Sequence, residues 1–547
     1  MLKKALKQYS TVSLILIGSI LWSLTMVKSG WLYKYGIGFW GANGHDGIWH
    51  LALTNNLNSF NLNNPVFSEF ILKNYHFGFD ILLSLIHKIT MLPISLLYFQ
   101  ILPPIFAILI GYLTYLFVLE WSKSKKSAFY SVFYVYFGGS AAWLLGKGES
   151  AFWVQQAIST LINPPFALSL IFMLSGFIFL NRKKTFLTVV FFGLLILIKV
   201  YAGLLILGGL LVGGIYSYLV DKNKYFIKIF IFSLILSLVI FLPFNFNSGS
   251  LVVWQPFWFL ETMMSYSDRI GWQRFYSAMT TYRMGNIVIK EFLAYALAFA
   301  IFIFGNFWTR IVFLKDILKK LDVSKIIVIS IIFAGIIVPM LFVQSGTPWN
   351  TIQFVYYSLF FGGILSGITV SSFPIAIASI VLLITVPTTF ITLSEVYIPN
   401  RPPAKISHAE VEALHFLKDQ PDGVVLTYPF DSDKAKEAVN NPPRPLYLYD
   451  STGYVSAYSE KQLFLEDEVN LNIMNYDWQD RRNLILNWYK EPNKELAQKF
   501  LSENKIKYVY WLKPQRAMLG ESQLGLMKIF ENNECIIYRY GEDFGSN

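Results

Sequence analysis

Apolar runs of roughly 17–25 residues recur from Ser10 to about Thr392, and that recurrence decides which solvent the chain folds in. A helix rises about 1.5 Å per residue, so some 20 apolar residues are enough to cross a hydrocarbon layer about 30 Å thick. Over 547 residues, 54% hydrophobic and only 14% charged side chains are incompatible with an ordinary soluble protein. The sequence predicts a mostly α fold, a polytopic membrane helical bundle.

Charge divides the chain. Residues 1–393 hold 27 Lys and Arg against 11 Asp and Glu, whereas residues 394–547 hold 18 against 23. A basic membrane part suits anionic lipid headgroups or phosphorylated lipids, and nucleic acid is not an expected partner. Two domains follow: 1–393, polytopic and membrane-embedded, and 394–547, solvated. The opening "MLKKALKQYS", followed by "TVSLILIGSILWSLTMV", is basic and then apolar with no small-residue cleavage site, and it reads as a retained anchor.

Lys and Arg near helix ends mark the cytoplasmic side. On that rule "WSKSKK" (121–126), "NRKK" (181–184), "DKNK" (221–224) and "TRIVFLKDILKKLDVSK" (309–325) lie inside. The segments 29–77, 145–165, the turn at Lys199, 244–290, 344–350 and everything after about 393 then lie outside, at a bacterial cell membrane. Two helices between 78 and 126 would reverse this alternation. The stretch 79–92 is short and carries Asp80, His87 and Lys88, so it is expected to be interfacial or an incomplete span.

After about Ser394 the pattern changes. "HAEVEALHFLKDQPDG" repeats with a helical period, and "VVLTYPF", "KYVYWL" and "CIIYRY" have the composition of short strands. An extracytoplasmic α/β domain is expected there. A single cysteine, Cys535, rules out an intramolecular disulfide, and neither a CxxC nor an HExxH pattern is present.

Eleven carboxylates in the membrane part leave few choices for an acid or base. Glu120, Asp221, Asp316 and Asp322 fall in the basic inner segments, leaving Asp46, Glu69, Asp80, Glu149, Glu261, Asp268 and Glu291. Asp46 alone sits among glycines and histidines, in "GANGHDGIWHLAL" (41–53), where the backbone allows close approach of a ligand. His45 and His50 flank it, and the i, i+4 spacing puts Asp46 and His50 on one helical face. These side chains would orient Asp46 or hydrogen-bond an acceptor; a capped loop helix with histidines at its polar edge is the structural alternative. A divalent cation held by Asp46, His45 and His50, with His76 as a fourth ligand, stands as a further alternative, although no metal site is assigned.

An acid just after the first span, in a long outer loop with "WH" and then "YHFG" (75–78), resembles the GT-C superfamily of polyprenyl-phosphate-sugar-dependent glycosyltransferases. The likeness is to relatives of protein mannosyltransferases and of the aminoarabinose transferase of lipid A. It implies that Asp46 is the catalytic base, that the donor is a polyprenyl-phosphate-linked sugar, and that the acceptor is a glycan, lipid or protein. The chemistry is consistent with one carboxylate. A phosphate leaves as an anion without a strong general acid, so a single base acting on the acceptor hydroxyl suffices for an inverting displacement.

The leaving phosphate calls for cations at the outer surface. Lys199, in "LILIKVYAG", interrupts an apolar hairpin, with snorkelling to the interface as the alternative role. Arg269, Arg274 and Arg283, in "SYSDRIGWQRFYSAMTTYRMG", offer planar donors, Arg283 being the first choice after Lys199, with headgroup contacts as the alternative. Glu149 in "GKGESAFWVQQ" is a second outer acid. Trp349, Asn350 and Gln353 in "QSGTPWNTIQF" (344–354) would wall a sugar or a lipid diphosphate, or merely form an aromatic-belt turn. The Tyr-rich "YDSTGYVSAYSEKQ" (449–462) is a candidate acceptor contact or ordinary packing. A flippase of lipid-linked sugars is the competing function. The carboxylates gather at loops and helix ends rather than at mid-membrane, which favours transfer chemistry over translocation.

Overall fold

The computed structural model describes residues 2–245, 252–344, 349–515 and 526–541. Residues 345–348 of the "QSGTPWNTIQF" stretch lie outside them. Among the described residues, eight helices are long and apolar enough to cross a membrane: Ile94–Ser122, Pro164–Asn181, Val200–Asp221, Tyr225–Phe244, Val288–Asp316, Val323–Leu341, Trp349–Val370 and Ile375–Tyr397. The protein is an integral membrane protein of mostly α class. Between residues 78 and 126 only Ile94–Ser122 is long and apolar enough to cross a membrane. The helix Gly78–Thr90 is amphipathic: Phe79, Asp80 and Leu83 are buried, whereas Leu85 and Ile89 are exposed.

Two compact units partition the chain. One comprises residues 1–25, 76–79 and 102–399; the other comprises 26–75, 80–101 and 400–547.

The first unit is the helical bundle. Pro164–Asn181 and Trp349–Val370 are its most enclosed helices, while Tyr225–Phe244 shows Ile231, Phe232, Ile235 and Val239 to its surroundings. An apolar outer face is stable only in an apolar medium, as hydrocarbon provides. Helix contact relies on small residues. A Cβ on Gly209 or Gly213 would come within 2.9 or 2.6 Å of the Ile327 side chain, so the four-residue spacing lets Val200–Asp221 close on Val323–Leu341. Inside the bundle lies Arg310, 2% exposed, whose guanidinium donates to the carbonyls of Gly138, Gly139 and Asn306 and to Gln156 Oε1 at 2.7 Å. Within the basic segment 309–325 this arginine joins helix termini, where free carbonyls satisfy it.

The second unit is α/β. In one sheet Leu32–Tyr33 pairs antiparallel with Gly36–Phe39, which pairs antiparallel with Ala404–Ile406, and that strand runs parallel to Arg444–Pro445. Gly36 is required at this junction, because its φ is +109° and a Cβ would lie 1.9 Å from the Ile406 carbonyl oxygen. The other sheet has Val424–Leu426 parallel to Ile506–Leu512, followed by Cys535–Arg539 and Met527–Glu531 antiparallel. Only Lys507 of Ile506–Leu512 is less than fully buried, the mark of a central strand covered on both faces. The helix His408–Lys418 opens with a capping box, Ser407 Oγ receiving Glu410 N at 3.1 Å and Glu410 Oε2 receiving Ser407 N at 3.1 Å. Asn55 Nδ2 donates to Ala457 O at 2.8 Å, and Arg481 donates to Ser68 O at 3.0 Å and Phe464 O at 2.7 Å. Loop and tail thus share one core.

Candidate functional site

In the α/β unit, the backbone turns through a 3-10 segment, Gly41–Gly44, into the helix Asp46–Asn58. Asp46 is its first residue, where the positive end of the helix favours a negative charge. The Asp46 side chain is 49% exposed, and its Oδ1 lies 3.4 Å from His45 Nδ1. Desolvation lowers the His45 pKa, but the hydrogen bond and charge of Asp46, with the charges of Asp467 and Asp450, outweigh it and leave the imidazole more basic than usual. Asp467 caps the helix Glu468–Ile473 from a left-handed conformation. Burial pushes its carboxyl up to about 7, with hydrogen bonds from Asn470 and the charge of His45 opposing and that of Asp46 adding. Within this unit the charge of Asp46 thus favours the protonated forms of both His45 and Asp467.

His50 has a different environment. It is buried, its Nδ1 lies 2.8 Å from Asp80 Oδ1, and its ring stacks on Tyr98 at 5.8 Å. Thr54 Oγ1 donates to the same Asp80 oxygen at 3.3 Å. Asp80 is fully buried, so His50 is held in the core of the unit by a partner 30 residues along the chain. Trp49, from the "WH" pair, packs edge-on against Tyr75, the first residue of "YHFG".

In the bundle unit, Lys199 sits in an extended break between the helices Leu195–Ile198 and Val200–Asp221. It is buried, its Nζ donates to Asn163 Oδ1 at 3.3 Å, and the ammonium lies 5.4 Å from the Tyr201 ring centre. His76 meets the same ring at 6.5 Å. A Cβ on Gly78 would contact Leu197 at 3.0 Å, so the glycine of "YHFG" fits against this break.

Arg269 is the second buried cation. Its guanidinium lies over Trp153 at 5.1 Å and Trp349 at 4.9 Å, and Nη1 reaches Asp268 Oδ2 at 3.0 Å and Ser150 Oγ at 3.2 Å. Burial lowers its pKa against the opposing charge of Asp268. Its buried Nε has no hydrogen-bond partner among the described residues. Lys147 Nζ ties down the supporting loop through Ser267 O at 2.9 Å, Ile270 O at 3.2 Å and Arg269 O. A chain of contacts runs between the two cations: Tyr201 Oη donates to Gln344 Oε1 at 3.2 Å, Gln344 N donates to Thr351 Oγ1 at 2.7 Å, and Trp349 lies two residues before Thr351.

The other candidates scatter within this unit. Arg283 pairs with Glu261 at 2.7 Å, and Arg274 is exposed on the helix Gln273–Met284. Glu149 is buried and accepts from Gln156 N at 2.8 Å and from Ser159 Oγ. Desolvation raises its pKa to about 7, with those donors and Arg310 opposing. Gln353 Nε2 donates to Asn350 Oδ1 at 3.2 Å. No group of three or more His, Cys, Asp or Glu side chains converges as a metal site among the described residues. Asp450, Asp467, Trp153, Asn163 and Tyr201 were not singled out in sequence. Nothing local in "LEDE" marks Asp467 as buried, and nothing local marks Trp153 as the partner of Arg269.

No family model matches the chain, and no curated protein matches its sequence. Solved structures do. The apo form of the oligosaccharyltransferase of Archaeoglobus fulgidus superposes with a TM-score of 0.52 over 93% of this chain and 70% of its own, at 14% identity. Oligosaccharyltransferase AglB from Archaeoglobus fulgidus, in complex with an inhibitory peptide and a dolichol-phosphate, superposes at 0.50 over 92% and 69%, at 13% identity. ArnT from Cupriavidus metallidurans aligns over 97% and 98% at 11% identity, with a TM-score of 0.40, below the level at which a shared fold follows. What is shared at these identities is the fold, and the chain has the fold of the Archaeoglobus fulgidus oligosaccharyltransferase.

Proposed function

We propose that the chain is a membrane glycosyltransferase that moves a sugar from a polyprenyl-phosphate carrier to an extracytoplasmic glycan, lipid or protein acceptor. The observation that carries this reading is the half-exposed Asp46 carboxylate at the start of its helix, beside an imidazole, in a chain with the fold of an oligosaccharyltransferase. The AglB structure holds a dolichol-phosphate, which supports a carrier of that class here. Asp46 takes the proton of the acceptor hydroxyl as its oxygen bonds to the anomeric carbon. The bond from that carbon to the phosphate oxygen breaks, and its electron pair leaves with the phosphate, inverting the anomeric centre. Lys199 and Arg269 are assigned to carrier phosphate: both are cations held out of bulk water, where charge acts strongly on an anion.

Reconstituted protein with a labelled polyprenyl-phosphate sugar tests the assignment. Asp46→Asn is expected to lower transfer by about 10²–10⁴-fold, the usual worth of a general base, with unchanged folding. Full turnover by that variant overturns the role of Asp46. Movement of carrier across the bilayer without release of sugar would favour a flippase.

A further inference from the structure

A cavity of about 540 Å³ opens in the bundle unit among Trp121, Lys315, Lys319, Lys320, Lys325 and Ser372, away from every residue assigned above. Its place follows from one helix. Lys325 lies in the first turn of Val323–Leu341, whereas the other end of that helix meets the loop before Trp258: Leu341 O accepts from Gln255 N at 3.0 Å and Pro339 O from Trp258 Nε1 at 2.9 Å. Trp258 packs on Trp153, which carries Arg269. Sixteen residues separate Lys325 from Leu341, roughly 24 Å of helix, so cavity and arginine cage stand at opposite ends of the bundle. The cavity end carries the lysine-rich segments that the positive-inside rule assigns to the cytoplasm.

Its walls are built. Lys325 Nζ donates to Asp316 O at 2.7 Å and to Lys319 O, stitching the turn after the 3-10 segment Trp308–Asp316 onto the helix. Asp322 is occupied, capping the helix through Lys325 N at 2.8 Å and receiving Trp121 Nε1 at 2.9 Å. Asp316 pairs with Lys319 at 2.7 Å. Four lysines against these two acids leave the cavity positive, with Lys315 and Lys320 exposed. Leu314, Leu318 and Leu321 are exposed on the same segment, alternating with the lysines. Cations beside exposed leucines at the end of a membrane bundle match a phosphate joined to acyl chains. The volume lies within the range of ligand pockets, roughly 300–1,000 Å³.

We propose that this cavity binds the phosphate headgroup of an anionic phospholipid from the surrounding leaflet. The site rests on nothing assumed about Asp46 or the transferred sugar. Full-length protein in detergent, titrated with phosphatidylglycerol and with phosphatidylcholine and read by native mass spectrometry, tests it. Wild type is expected to prefer phosphatidylglycerol. Lys315→Gln with Lys320→Gln is expected to weaken that binding by about fivefold per lysine, roughly 25-fold for the pair, and the corresponding arginine pair to retain it. Both positions are exposed, so the fold tolerates the changes, and unchanged phosphatidylcholine binding checks this. Equal binding of the two lipids by wild type, or a glutamine pair that binds like wild type, overturns the site. Displacement of the lipid by millimolar inorganic phosphate or glycerol 3-phosphate would identify a soluble phosphate ligand and overturn the lipid assignment.

Discussion

At the scale of single residues, Arg269 shows how placement sets what a cation can do. Two indole faces hold its plane, and a lysine would keep the charge but lose both the stack and the fork of donors. Arg269→Lys is therefore expected to raise the KM for lipid-linked donor by roughly tenfold, about 1.4 kcal/mol, with a smaller effect on kcat. Steady-state kinetics in nanodiscs check this, and an unchanged KM would remove Arg269 from donor binding. Lys199 was legible in sequence because a charge inside "LILIKVYAG" has no cheap place in an apolar hairpin. The cage around Arg269 was not, since Trp153 lies 116 residues before it and Trp349 lies 80 after it, and aromatic residues are common throughout this chain.

Among elements, the helix Asp46–Asn58 depends on a pairing that periodicity does not reveal. Spacing placed Asp46 and His50 on one face but did not show that His50 would meet Asp80, a candidate acid in a stretch expected to be interfacial or an incomplete span. Breaking a buried hydrogen-bonded pair by removing one member leaves the other unsatisfied, typically costing about 1–3 kcal/mol. Asp80→Ala should accordingly destabilise the α/β unit on that scale, seen as a lowered denaturation midpoint, and His50→Ala with Asp80→Ala should recover part of the loss. Additive losses would show that the two side chains do not stabilise each other. Elements with strong patterns were readable: Ile506–Leu512 and Cys535–Arg539 fall where "KYVYWL" and "CIIYRY" indicated, and His408–Lys418 where the helical period lay. Leu32–Tyr33 and Gly36–Phe39 are too short for an alternation to register, so their place in a sheet was not.

For the molecule as a whole, the α/β unit stores protons. Burial raises Glu466 to about 8, with the Val455 and Ser456 amides opposing; burial raises Glu410 to about 7, and Asp467 likewise. An acid whose folded pKa exceeds its unfolded value adds stability that is complete below the unfolded value, near 4, and is lost as pH rises through the folded value. His45, also raised, acts in the same direction. Thermal stability of this unit is thus expected to fall between about pH 5 and pH 8, and Glu466→Gln should flatten the slope. Calorimetry at a series of pH values decides it; a midpoint that climbs across this window would contradict the proton store. The eight spans were visible as apolar runs, because lipid imposes a minimum length that composition alone satisfies.

The strand Gly36–Phe39 has as its neighbour Ala404–Ile406, some 365 residues later. At a synthesis rate of about 5–20 residues per second, the ribosome needs roughly 20–70 s to supply that neighbour. Throughout this interval the later helices of the bundle emerge while the strand's outer edge waits unzipped, so the sheet of the α/β unit closes only once residues 404–406 arrive.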